Sequence, residues 1–231
     1  DGAYHLMDLS LEIDMHTHGI GNSTVFLSHK EPLYRWGVWK MDESVDTLLD
    51  LLPEREYYER EVQRFVASHR RLEWLSVRAL LFRLLGEHKE VCYQPSGKPY
   101  LADYSYFISI SHTKGYVSVI LSDKVPVGID IEQYGQRVHR VAHKYMREDE
   151  SVRLYKEDAT WSLLLHWSAK EVMFKCMDTD GVDFRQHLHI EPFLLQEQGD
   201  FTAHEYRTEQ KRSFRIHYLL HPEFVMTWSI D

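Results

Sequence analysis

One strand-and-helix pairing occurs twice in this 231-residue chain. Trp36-Gly37-Val38-Trp39-Lys40-Met41 is echoed by Val127-Gly128-Ile129-Asp130-Ile131-Glu132. Trp74 through Arg83 is echoed by Trp167 through Lys175, with one residue of slippage. From Gly37 to Arg83 is 46 positions, and from Gly128 to Lys175 is 47. A strand and a helix repeated at near-constant separation restrict the fold to two related units. The copies differ in their polar residues. Trp39 and Met41 stand where Asp130 and Glu132 stand, and Arg78-Ala79 stands roughly where Lys170-Glu171 stands. A duplicated framework with acids in one copy predicts one active site per chain, at the joint between lobes.

The flanking pattern completes an α+β reading: two pseudo-symmetric lobes, each an antiparallel sheet packed with helices. The N-terminal lobe is expected over 1–105 and the C-terminal lobe over 106–231. Val25 to Leu27 and Trp36 to Met41 read as extended. Asp46 to Leu52, Glu54 to Phe65 and Leu72 to Leu85 read as helices, the last with Leu72, Leu75, Ala79 and Phe82 at helical spacing and Gly86 as its stop. Gln94 to Pro99 signals a turn. Phe107 to Ser111 and Tyr116 to Leu121 read as strands joined by His112-Thr113-Lys114-Gly115. Helices are expected over Val138 to Tyr145 and Thr160 to Met177. Strands are expected over His187 to Leu195, Phe201 to Tyr206, Phe214 to Leu219 and Phe224 to Ile230.

Composition excludes several classes. The net charge is −9, and both halves are mildly acidic, so no basic block exists to neutralise a nucleic-acid backbone. No apolar run reaches membrane-spanning length, and residues 1–11 lack the basic start and apolar run of a secretory leader. The two cysteines, Cys92 and Cys176, have no metal-ligand spacing and read as reduced thiols of a cytoplasmic protein. Any anion site must therefore be local.

The polar face of the second copy carries such chemistry. In a strand, alternate side chains share a face, so Gly128, Asp130 and Glu132 lie opposite Val127, Ile129 and Ile131. The two carboxylates are then roughly 7 Å apart along the strand. In a helix, Trp167, Glu171 and Lys175 share a face, within a stretch rich in apolar residues (Leu163, Leu164, Leu165, Val172, Met173, Phe174). Acids and lysines in such a setting need partners. Three carboxylates suit a hard divalent cation, and Mg²⁺ prefers one or two protein carboxylates together with water and phosphate oxygens. A lysine beside them suits a phosphate.

Gly128 to Glu132 followed by Trp167 to Lys175 resembles the paired signature of the 4′-phosphopantetheinyl transferases. Gly97-Lys98-Pro99-Tyr100 and Ser109-Ile110-Ser111-His112-Thr113 match further motifs of that family, and Arg70 through Arg78 matches more loosely. The length, and the mid-chain position of the acidic strand, resemble the larger pseudo-dimeric Sfp-type branch, which implies a monomer. Ser109 departs from the pattern, where the family often has Asn.

The resemblance implies the holo-[acyl-carrier-protein] synthase reaction. The phosphopantetheine arm of coenzyme A passes to a serine of an acyl or peptidyl carrier protein, a step of fatty acid or related biosynthesis, and 3′,5′-ADP leaves. By motif position Asp130, Glu132 and Glu171 would hold Mg²⁺. Lys175 would contact the pyrophosphate, and Glu171 would accept the serine proton, with Glu150 as a second acceptor. Lys98, Ser111, His112 and Lys170 would contact coenzyme A, as would Arg71 and Arg78. Carrier docking is expected near Met146 and Arg147. The alternative is a degenerate homologue that binds coenzyme A or a carrier without transfer. A separate pattern, Asp14-x-His16-x-His18, has the look of a metal-dependent hydrolase strand, but the downstream ligands of such barrels are missing and the histidines read as incidental.

Overall fold

The computed structural model describes residues 26–231. Asp14, His16, His18 and Val25 lie outside them. The first lobe begins with strands β1 (Leu27–Lys30) and β2 (Arg35–Lys40), followed by helices α1 (Val45–Asp50), α2 (Arg55–Val62) and α3 (Ser68–Leu85). Gly86 ends α3 in the left-handed region, φ 73°, with its N–H returned to the Phe82 carbonyl. A two-stranded ribbon follows, β3 (Val91–Tyr93) and β4 (Pro99–Leu101). Strands β5 (Phe107–Thr113) and β6 (Tyr116–Ser122) then complete a four-stranded antiparallel sheet of order β1-β2-β6-β5. The expected division at residue 105 therefore cuts this sheet. Half its strands come later in the sequence, and the chain leaves it only after Ser122.

The second lobe comprises β7 (Val127–Gln133), α4 (Arg137–Arg140), a 3-10 turn (Ala142–Lys144), α5 (Thr160–Met177), α6 (Phe184–His187), β8 (Leu188–Ile190), β9 (Gln198–Glu205), β10 (Ser213–His221) and β11 (Phe224–Ile230). Its five-stranded antiparallel sheet has the order β7-β11-β10-β9-β8. The helix expected over 138–145 is broken into α4 and the 3-10 turn. The strand expected over 187–195 shrinks to three residues. His112 and Thr113, read as a loop, belong to β5, and the turn after them is only Lys114-Gly115.

The two copies superimpose in their logic. Helices α3 and α5 each have 18 residues and each packs on its strand, β2 or β7. At each crossing a glycine lets the helix approach. A Cβ on Gly37 would lie 2.7 Å from a Leu80 methyl, and one on Gly128 would lie 2.8 Å from the Cys176 sulfur. Three apolar clusters hold the molecule: one under α3, one under α5, and one between the lobes. The third joins Trp36 and Val38 of β2 to Ile129 and Ile131 of β7, with the rings of Trp36 and Trp228 5.1 Å apart. The apolar face of the acidic strand is thus the inter-lobe core, and its acidic face is turned toward α5. No helix among the described residues is long and apolar enough to cross a membrane.

Candidate active site

Asp130 lies on β7, only 4% exposed. Its Oδ1 accepts a hydrogen bond from the Ser111 hydroxyl at 3.3 Å. Its Oδ2 is buried with no hydrogen-bond partner among the described residues. Glu132, two residues on, accepts from the Trp167 indole N–H at 3.0 Å. Glu171 faces them from α5. Burial, then the charge of Asp130, raises the pKa of Glu132 well above the carboxylate range. The same two causes push Glu171 up to about 7, with Lys175 opposing them.

These acids repel one another in a partly dry site, and one oxygen is left unpaired. A cation placed among them would offset that repulsion. Among the described residues no three His, Cys, Asp or Glu side chains already close around one point as metal ligands.

A cavity of about 730 Å³ lies between α2, α3 and the β3–β4 ribbon, with Ile110 and His112 of β5 on its wall. Arg64, Arg70, Arg78, Lys89 and His112 line it, together with Tyr57, Tyr58, Phe65, Trp74 and Tyr93. Arg78 is 5% exposed, its guanidinium 4.0 Å from the Trp74 ring centre and bonded to the Tyr93 hydroxyl at 3.2 Å. Burial lowers its pKa, and the Tyr93 phenol partly offsets this. His112 projects from β5 with its Nε2 3.6 Å from a Glu73 carboxylate oxygen. A second cavity, about 500 Å³, opens on the other side of Glu132. Val138, Val141, Leu164 and Trp167 line it, with Arg137 and Lys144.

Several of the expected site residues are engaged within the protein. Lys170, expected at the coenzyme, is fully buried, and its ammonium donates to the Glu150 carboxylate at 2.7 Å and the Tyr145 carbonyl at 2.5 Å. Burial lowers its pKa, and Glu150 opposes this. Glu150, expected as a proton acceptor, has a side chain with no exposed surface. It also accepts the backbone N–H groups of Arg147 and Ile190, both at 2.8 Å. The pair is a buried internal clamp. Ser111 is buried against β7, with its hydroxyl engaged by Asp130 and the Ile131 N–H, and does not face the cavity. Strand alternation sends it one way and His112 the other. Lys175 donates to the backbone carbonyls of Ile129 at 2.7 Å and Ile110 at 3.2 Å.

The arginines divide unexpectedly. Arg71 donates to the Phe65 carbonyl at 2.6 Å and is absent from the cavity wall, whereas its neighbour Arg70 lines it. One residue is about 100° of helix rotation, a distinction that a loose motif match does not carry. Lys98 sits on the β3–β4 turn, between the cavity-lining Gly97 and Pro99. Its charge is felt by the Cys176 thiol, which burial pushes up to about 11. Trp167, Arg64, Arg70 and Glu73 were not singled out as site residues. Trp167 carried a signal in its position on the Glu171 face of α5, and Arg70 and Glu73 lay within the loosely matching stretch.

The comparisons fall on this acidic half. A model of the 4′-phosphopantetheinyl transferase superfamily matches residues 126–229, which span β7, α5 and the rest of the second lobe almost to its end. The 4′-phosphopantetheinyl transferases AcpT of Salmonella typhi, Salmonella typhimurium and Escherichia coli are each 39% identical to this chain over 64 residues. The match covers 27% of this chain and 33% of theirs, so the chain spans about a third of the length of these relatives. Asp130, Glu132 and Glu171 all lie inside the segment of this chain that is similar to the 4′-phosphopantetheinyl transferase superfamily.

Proposed function

We propose that this protein transfers the 4′-phosphopantetheine group of coenzyme A to a serine of an acyl or peptidyl carrier protein, with Mg²⁺, releasing 3′,5′-ADP. The observation that carries this reading is the unpaired, buried Asp130 Oδ2 between two acids whose pKa values are raised. Asp130, Glu132 and Glu171 would hold the ion. When bound, it would neutralise charge on the pyrophosphate as the leaving group departs.

The chain's own residues supply the rest. The cavity under α3 offers aromatic walls for a base and Arg70, Arg78 and His112 for phosphate. Lys98, on the β3–β4 turn between the cavity-lining Gly97 and Pro99, would add a point charge for the pyrophosphate. Glu171, with a pKa near neutrality, is matched to accepting a hydroxyl proton, directly or through water. Lys175 orders the backbone beneath the acids from its present position. Trp167 holds Glu132 in one orientation.

Carrier docking belongs beside the second cavity. Arg137, Arg140 and Lys144 are exposed there on α4 and the 3-10 turn. They form a local basic face on an acidic protein, suited to an acidic partner. Arg147, the expected docking residue, is tied to Asp149 at 2.9 Å and to the Gln186 carbonyl at 2.7 Å. Within this reading the functional halves divide at Asp123–Pro126, where the chain passes from β6 to β7.

Mass spectrometry of apo-carrier proteins incubated with coenzyme A and Mg²⁺ tests the proposal. A gain of one phosphopantetheine on the carrier is expected, and Asp130→Ala should abolish it while the protein stays folded. Binding of coenzyme A without transfer to any of several carriers would favour the non-transferring alternative.

A further inference from the structure

Strands β5 and β7 are neighbours, yet each ends the strand order of its own sheet. Side chains join them instead of a main-chain ladder. The Ile129, Ile131 and Gln133 N–H groups of β7 donate to the hydroxyls of Ser109, Ser111 and Thr113 at 3.1, 3.1 and 3.0 Å. Donor and acceptor stay 20 residues apart at every step, so the strands run parallel with every second residue engaged. The opposite polarity is met by Lys175, whose ammonium spans the Ile110 carbonyl of β5 and the Ile129 carbonyl of β7. Two of the three N–H groups are buried with their hydroxyls, where an unpaired group would be costly.

The seam lies between the two halves of the site. His112, on β5, faces the large cavity. Asp130 and Glu132, on β7, carry the acids. Ser111 belongs to both, because its hydroxyl accepts from Ile131 and donates to Asp130. A shift of β5 along β7 would move the cavity relative to the acids by the same amount.

We propose that Ser109 and Thr113, which touch no reacting atom, are positioning residues. Their hydroxyls, with Ser111 and Lys175, set the register between the coenzyme-binding lobe and the acid-bearing lobe. This rests on the proposed function, because it takes coenzyme A to bridge the two lobes. A ligand that spans a seam reads its register directly, since small misplacements are amplified in binding and rate.

The test compares Ser109→Ala, Thr113→Val and the conservative Thr113→Ser. Coenzyme A affinity is measured by calorimetry with Mg²⁺, and amide exchange of Ile129, Ile131 and Gln133 by NMR. Expected are slow exchange at these amides in the wild type and faster exchange at Ile129 in Ser109→Ala and at Gln133 in Thr113→Val. Coenzyme A should bind about tenfold more weakly to both of these variants. Thr113→Ser should behave as wild type. Faster exchange with unchanged coenzyme A affinity in both variants would overturn the proposal, leaving the hydroxyls a purely structural role. Freely exchanging wild-type amides at Ile129 and Ile131 would overturn it as well. Wild-type protein that neither binds nor transfers coenzyme A refutes the functional reading instead, whatever the amides do.

Discussion

Glu171 makes the metal-free protein lose stability as pH rises. Its carboxyl is raised from 4.5 to about 7 by burial and by Asp130. Between these values the native state holds a proton that the unfolded chain has released. The unfolded state binds fewer protons, so stability falls with increasing pH across that window. At 1.36 kcal/mol per unit, a shift of this size is worth about 3 kcal/mol, fully present below pH 4.5 and lost by the time pH has passed 7. Glu132, raised by the same causes, extends the loss to higher pH. Glu171→Gln removes this dependence at one position and relieves the repulsion at the others. Urea unfolding of wild type and variant, in chelator at pH 5 and pH 8, should give a fall in stability about 2–3 kcal/mol smaller for the variant. Mg²⁺ added to the wild type at pH 8 should restore stability, because it favours the ionised acids of the native state. Buried histidines titrate in the same range, but their contribution cancels between the two proteins. Equal falls in stability for wild type and Glu171→Gln would refute the claim that these acids repel one another in a dry site.

Lys170→Met should cost about 3–5 kcal/mol in chemical unfolding, because it leaves the buried Glu150 carboxylate without its counter-charge. Gly128→Ala should cost about 1–3 kcal/mol through its clash with the Cys176 sulfur, and Gly128→Ala with Cys176→Ala should recover part of that in thermal melts. Arg70→Ala should weaken coenzyme A binding in calorimetry by about tenfold, as expected for a lost charged hydrogen bond. Arg71→Ala, one residue away but outside the cavity wall, should leave that affinity within twofold.

Much of the fold was legible because its signals are local. Alternation along Val127 to Glu132 separated an apolar face from an acidic one, and both faces are where alternation placed them. Helical spacing located α3 and α5, and Gly86 marked the end of α3. The repeated glycine was visible as an echo, though its cause was not. Gly37 and Gly128 are needed because a helix crosses close above each, and nothing within the strand announces that crossing. The sheet that runs across residue 105 was hidden for a similar reason. β5 and β6 look like the start of a new unit in the sequence, yet β6 pairs with β2, some eighty residues earlier.

That three acids and two lysines come from one strand and one helix packed together was readable in short segments. Residue type, period and burial are properties of such segments, and they suffice for that. Which polar group each side chain meets was set by packing between distant segments. Lys170 found Glu150, Lys175 found two carbonyls from different lobes, and Ser111 turned to Asp130 rather than to the cavity. Those choices depend on groups that approach from 19 to 65 residues away. A buried polar atom takes whichever partner the packing brings within about 3 Å. The duplicated strand and helix therefore set the frame, and the contacts between the copies assign the work.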